Sequence, residues 1–428
     1  MKTHIKTCVW TVGILIAAVC LGTTLMILAY LLPVDAMRQN AKESIEMQLA
    51  EDDSYKWIEK DTTSRSDEGT DALMIATAVY DGEESLIEKA LLNPRIFYEE
   101  GSSTWILASS LMGVENSSEV TYGRYWHGYL VILKPLLLLF NYNNIRWINT
   151  VVGCTLIAVI LVGFVKRFGC YKYALSFIVA VLFLNPIVMR ASLQYNTVFY
   201  AIMLEYIVAL YWGDRLEQKG RFKYIFLISG ILVPFFDLLT YPIAALGMLL
   251  ILQFLLFEDT LKNNIIMAVK GGVLWLVGYL GMWGGKWIVA SLFTDENIIA
   301  DAINQVILRT GISADTYGRN FLLNGIIQNL FWLRAENAIL FKMTVLVIIA
   351  AIAALLICKI AKIKLKPAFI IIMTLFCFIP IVRYVVVCGH SIGHAWFTYR
   401  EFMVAIMAIM CMLLNSIEIC DDKYALHI

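Results

Sequence analysis

Long apolar runs limit what this chain can become. The first extends from about Val9 to Leu32. Others follow at roughly 126–140, 147–165, 173–189, 197–213, 224–236, 241–257, 266–292, 339–358, 368–387 and 396–415. A helix needs about 20 predominantly apolar residues to cross a bilayer, and lipid admits only helices and closed barrels because every backbone polar group must be satisfied internally. The chain is 60% hydrophobic and 16% charged, with a mean hydropathy of +0.72, whereas soluble domains lie at roughly half apolar and a quarter charged. The expected fold class is all-α integral membrane, a bundle of about ten transmembrane helices. The 34 basic residues balance the 34 acidic ones, so no net charge points to a nucleic-acid partner.

Charge placement sets the expected orientation. Lys2 and Lys6 precede the first run, which is too long for the apolar core of a cleaved signal peptide. Basic clusters at Lys166-Arg167…Lys172, Arg215…Lys223, Lys262 and Lys359…Lys366 should all face the cytoplasm. That requires an odd number of crossings between the end of the first helix and Lys166, yet two runs lie there. The run at 126–140 is broken by Lys134-Pro135; a lysine at mid-bilayer is costly and proline interrupts a helix. It is therefore expected to lie on the outer surface as an interfacial helix. The resulting layout has a first transmembrane helix over 1–32, an extracytoplasmic segment over 33–146, and a bundle over 147–428 with an outer loop at about 293–338. Both termini are cytoplasmic in this scheme, and the protein sits in the cell membrane. The segment 33–150 has no cysteine, which argues against a disulfide-stapled exterior domain.

Candidate chemistry gathers at the outer ends of the runs. Asp67-Glu68 precedes an apolar helix, and Asp71 is one turn on from Asp67. Acidic residues in a first helical turn are favoured by the helix dipole, and spacing alone favours that plain reading over a catalytic one. Arg124, Trp126 and His127 open the interfacial helix, where aromatic and basic residues ordinarily anchor at headgroup level; the alternative is a phosphate-binding arginine beside an aromatic sugar platform. Arg383, His390, His394 and Arg400 bracket the last outer loop. His390 and His394 are spaced i,i+4 but have no acidic neighbour in sequence, a weak metal signal. Arg190, Asn196 and Asp237 are single helix-end residues whose common face suggests a shared site.

The order of these features resembles the GT-C superfamily of membrane glycosyltransferases, in particular the branch holding protein O-mannosyltransferases and lipid A aminoarabinose transferases. The matching features are Asp67-Glu68 at a helix start, Gly-Arg124-Tyr-Trp-His127 ending in Leu139-Phe140-Asn141, Arg146 opening the next crossing, the turn Lys166-Arg167-Phe-Gly, the stretch Pro186…Arg190…Asn196, and Thr240-Tyr241-Pro242. The likeness spans about residues 8–260. Asn196 stands where the family often has aspartate, and Tyr241 where it has lysine. The resemblance implies transfer of a sugar from a polyprenyl-phosphate-linked donor to a hydroxyl of a glycan, lipid or protein at the outer face, in envelope glycan assembly. It implies Asp67 as general base, with Glu68 or Asp71 orienting the acceptor. Arg124, then Arg383 and Arg400, would meet the phosphate, with His127 assisting. Some superfamily members use a divalent metal; no cofactor is expected here. The residues alone leave open a carrier or flippase of a lipid-linked glycan, and a non-catalytic scaffold.

Overall fold

The computed structural model describes residues 2–59, 61–311, 321–334, 361–363 and 366–419, with Lys342, Val345 and Ile349 as isolated positions. The run at 339–358 and the C-terminal tail thus lie outside the described residues. Helix α1 (Lys2–Tyr30) ends just before Pro33, and a string of short helices follows: α2 (Val34–Lys42), α3 (Ile45–Glu51), α4 (Glu68–Ala78), α5 (Leu86–Leu92), α6 (Ser103–Met112) and α7 (Leu130–Leu139). Their ends are written in the sequence. Asp67 caps α4, Ser85 and Glu88 form a capping box on α5, and Ser102 caps α6, which stops at left-handed Gly113. Strand β1 (Arg95–Phe97) pairs antiparallel with β2 (Ser118–Val120).

Most of the remaining chain is long helices. These are α8 (Tyr142–Phe168), α9 (Lys172–Phe183), α10 (Pro186–Ala191), α11 (Leu193–Gln218), α12 (Lys223–Phe236), α13 (Ile243–Leu256), α14 (Leu261–Phe293), α15 (Ile298–Thr310) and α16 (Phe321–Arg334). After the gap come α17 (Pro367–Cys377), α18 (Ile379–Val386), α19 (Cys388–Gly393), α20 (Ala395–Thr398) and α21 (Met403–Ser416). Six stretches among the described residues are long and apolar enough to cross a bilayer: Ile5–Tyr30, Tyr142–Phe168, Leu193–Gln218, Leu261–Phe293, Pro367–Val386 and Ala395–Asn415. Helices α7, α9, α12 and α13 are apolar but shorter. Proline and turn residues cut them: α9 stops at Asn185, held at φ +60° before Pro186, and the α12–α13 hairpin turns between Asp237 and Pro242.

Helix α7, with 10 residues, rises only about 15 Å, half of a hydrocarbon core. Its Lys134 is fully buried and donates to the Ala78 carbonyl at 2.6 Å. The same device recurs. Arg38 donates to Val79 O and Ser110 O at 3.3 and 2.9 Å, and Lys286 of α14 to Leu91 O at 2.7 Å. Three basic side chains thus satisfy carbonyls at the C-terminal ends of α4, α6 and α5, where a helix dipole favours a cation. One hydrophobic core fills the space among α9, α11, α13, α17 and α21; a second joins the segment between α1 and α8 to α1, α12 and Met282 of α14. Helices α12 and α14 cross closely: Gly230 lies against the Trp275 carbonyl and Gly278 against the Leu227 carbonyl, the use of small residues expected between membrane helices.

Candidate functional site

A cavity of about 270 Å³ opens where the short helices meet the ends of the long ones. Its walls come from α4 with its cap Asp67, from Arg95 of β1, from the 122–129 turn, from Gln194 at the start of α11, from Arg309 at the end of α15, and from the α19–α20 segment with His390, His394, Trp396 and Phe397. Asp67 fills two positions at once. Its Oδ1 accepts from the Thr70 N–H at 3.2 Å, as a helix cap must, and its Oδ2 accepts from the Trp396 indole N–H at 3.5 Å beside the cavity. Burial raises its pKa from the ordinary aspartate value, against the hydrogen bonds of Thr70 and Trp396. The nearby acids Asp52 and Asp53 do not line the cavity; Asp53 caps α6 through the Ser103 and Thr104 N–H groups at 2.8 and 2.9 Å.

Of the outer helix-end residues that the sequence points to, Asp67, His127, His390 and His394 line this cavity, as do Tyr125, Gln194 and Trp396, and the other candidate site residues do not. Glu68 is sealed against Arg146 at 2.5 Å, and Arg146 also holds Glu51 at 2.6 Å. Asp71 accepts from the Leu193 and Gln194 N–H groups at 2.6 and 3.0 Å and from the Tyr142 hydroxyl at 2.6 Å. It therefore caps α11 from the end of a different helix. Burial, then the neighbouring Asp71 carboxylate, push the Glu68 pKa up to about 8, and burial pushes Asp71 up to about 6.

Arg124 pairs with Asp301 at 2.9 Å and covers the Tyr122 ring at 4.3 Å. Trp126 is buried and donates to Met282 O at 2.8 Å. His127, at φ +53°, donates from Nε2 to Tyr122 O at 3.2 Å, so its Nδ1 accepts from the Tyr129 hydroxyl at 2.8 Å; burial holds its pKa well below the usual histidine value. Arg190 rests on Trp57 and Trp147, and the Asn196 amide donates to Met189 O and Ser192 O. Asp237 accepts from the Thr240 N–H at 2.8 Å and the Thr197 hydroxyl at 3.0 Å. Arg383 pairs with Glu401 at 3.0 Å, while Arg400 stacks on Tyr195 at 3.9 Å.

The cavity's two cations are Arg95 and Arg309, which sequence reading did not single out. Neither has an ion-pair partner among the described residues; Arg95 lies 5.4 Å from the centroid of Tyr122 and Arg309 5.9 Å from that of Tyr125. The only signal for Arg309 was its place in the last turn of α15 before the left-handed Gly311, where a basic residue reads as an ordinary C-terminal cation. Among the described residues no three histidine, cysteine or acidic side chains gather as metal ligands.

The fold and this cavity define a multi-pass helical membrane protein with a polar, aromatic-walled cavity at one end of its bundle. Compared with family models, with curated proteins and with solved structures, the chain matches none.

Proposed function

We propose that the protein is a membrane glycosyltransferase that moves a sugar from a polyprenyl-phosphate-linked donor to a hydroxyl acceptor at the outer face of the cell membrane. One observation carries this reading: a single cavity is lined by one carboxylate, Asp67, and by two arginines, Arg95 and Arg309, that have no ion-pair partner among the described residues. Displacement of a phosphate from a sugar carbon needs a base for the acceptor hydroxyl and cations for the charge growing on the leaving group. Asp67 fills the first part, and its raised pKa makes the carboxylate a stronger base. The phosphate part passes from Arg124 and Arg383, which pair with Asp301 and Glu401, and from Arg400, which is buried outside the cavity lining, to Arg95 and Arg309. The acceptor-orienting part first given to Glu68 or Asp71 passes to the neutral groups of the cavity, because both acids serve the packing.

The test is transfer in nanodiscs from a panel of undecaprenyl-phosphate hexoses, read as release of undecaprenyl phosphate. Asp67→Asn retains the helix cap but cannot take the proton, so turnover should fall by about 10²–10⁴-fold with the melting temperature unchanged. Arg309→Ala should weaken donor binding more than Arg309→Lys, which keeps the charge and loses the planar fork. Full turnover in Asp67→Asn would remove the base assignment. The carrier reading has one observation in its favour, Glu205, a carboxylic acid buried within α11. A protein that moved lipid-linked glycan across vesicles, and lost this with Glu205→Gln while Asp67→Asn was silent, would be the carrier.

A further inference from the structure

We propose that the stacked imidazoles of His390 and His394 form a hydroxyl-reading subsite that takes a vicinal diol of a carbohydrate. This rests on the reading of the cavity as a glycan site and adds what part of the glycan is recognised and by which atoms.

The two rings lie one turn apart, nearly parallel at 14°, with centroids 4.4 Å apart, and both line the cavity. Their proton positions follow from their partners. An arginine has no acceptor. Arg383 Nη2, at 3.1 Å from His390 Nδ1, must therefore donate, which leaves the His390 proton on Nε2. A backbone carbonyl can only accept. His394 Nδ1, at 3.3 Å from the His390 carbonyl, must therefore carry the proton, which leaves His394 Nε2 with a bare lone pair. Both rings are neutral near pH 7: burial first, then the Arg383 charge, hold His390 well below the usual histidine value, and burial followed by Arg309 push His394 down to about 4.

The cavity wall therefore offers an N–H donor and a nitrogen acceptor side by side. A phosphate or carboxylate oxygen suits the first and is repelled by the second. A cation suits the second and is repelled by the first. Two hydroxyls on adjacent carbons suit both, one accepting from His390 and the other donating to His394. The surroundings favour a sugar ring. Trp396 and Phe397 stand 5.1 and 5.3 Å from the His394 ring and supply apolar faces. The Trp396 indole N–H already points to Asp67, which places the diol and the carboxylate on one wall. Arg309, near enough for its charge to act on both rings, and Arg95 line the same cavity and would meet the anionic end of a donor.

The test uses full-length protein in nanodiscs with ¹⁵N-labelled histidine imidazoles, assigned with His390→Gln and His394→Gln. The expected spectrum shows opposite neutral tautomers, Nε2–H for His390 and Nδ1–H for His394. Methyl glucoside, methyl galactoside and methyl mannoside are then titrated by saturation-transfer NMR, with the monodeoxy analogues of any that bind, and inorganic phosphate as the anionic control. At least one glycoside should shift both Nε2 signals. Its affinity should drop about tenfold on loss of either hydroxyl of the diol, and equally in His394→Phe, which keeps the ring stack without the lone pair. Identical tautomers in the two rings, binding of none of the three glycosides, undiminished binding in His394→Phe, or phosphate shifting the Nε2 signals more than any glycoside would each overturn the proposal. Glycoside binding that persists while no sugar is transferred would sink the transferase reading alone. Asp67-dependent transfer without glycoside recognition by the pair would sink this one alone.

Discussion

Asp67 and Glu68 are neighbours in the chain with opposite circumstances. Asp67 turns to the cavity, while Glu68 has no exposed surface and meets Arg146. Their substitutions should therefore fail differently. Glu68→Gln removes one of the two carboxyl partners of Arg146 and leaves Glu51 in place, so the loss should stay below the roughly 3–5 kcal/mol of a buried ion pair broken on one side. The variant's melting temperature should fall below that of the parent in differential scanning fluorimetry, with turnover per folded molecule kept. The pH profile carries the second test. Transfer that needs an ionised Asp67 should rise through an acid limb set above the ordinary aspartate pKa of about 3.9, since burial raises this group. The limb should vanish in Asp67→Asn. At this scale the sequence was legible only in part. The Asp-Glu pair and its helix start were visible, but which of the two faces the cavity was not, because that depends on Arg146, some 78 positions away. The same holds for Asp71: its partners at Leu193 and Gln194 lie on another helix, and no local spacing announces them.

At the scale of elements, hydropathy located the long helices because each is a continuous apolar run, and the run at 126–140, with Lys134-Pro135 in it, holds only the 10-residue α7. It misjudged α9, expected over 173–189. The helix ends at Phe183 because Asn185 takes a left-handed turn into Pro186. Hydropathy was also blind to glycine packing. Gly278 and Gly230 let the backbones of α12 and α14 touch, and Gly284, on the same α14, faces open space. Gly278→Leu should force the pair apart and destabilise the protein by about 1–3 kcal/mol or more. Gly284→Ala should be silent or slightly stabilising, because alanine is the better helix former. Thermal unfolding of both variants in the same detergent checks the pair; equal melting temperatures would show that the crossing is not held by close backbone contact.

For the whole molecule, the charge pattern predicts which side of the membrane holds the cavity. The exposed Asn143 lies at the cavity end of α8, and the exposed Lys219 follows α11 at the opposite end. In a cysteine-free background, Asn143→Cys should react with an impermeant maleimide on intact cells, and Lys219→Cys only after permeabilisation. The reverse pattern would turn the cavity towards the cytoplasm and end the proposal of chemistry at the outer face.

The basic side chains that grip helix ends have a consequence for how many pieces the protein can be made in. The exposed turn at Glu115–Ser117 divides the chain between β1 and β2, and bonds across that point are numerous. Lys134 reaches back to Ala78, Lys286 to Leu91, Arg146 to Glu68, Leu137 O to the Asn40 amide, and the N-terminus of α11 to Asp71. Chain continuity at Asn116 is therefore not what seats Asp67. Two separately translated halves, 1–115 and 117–428, would each carry one side of these contacts, and co-expressed in one membrane they should co-purify around an intact cavity.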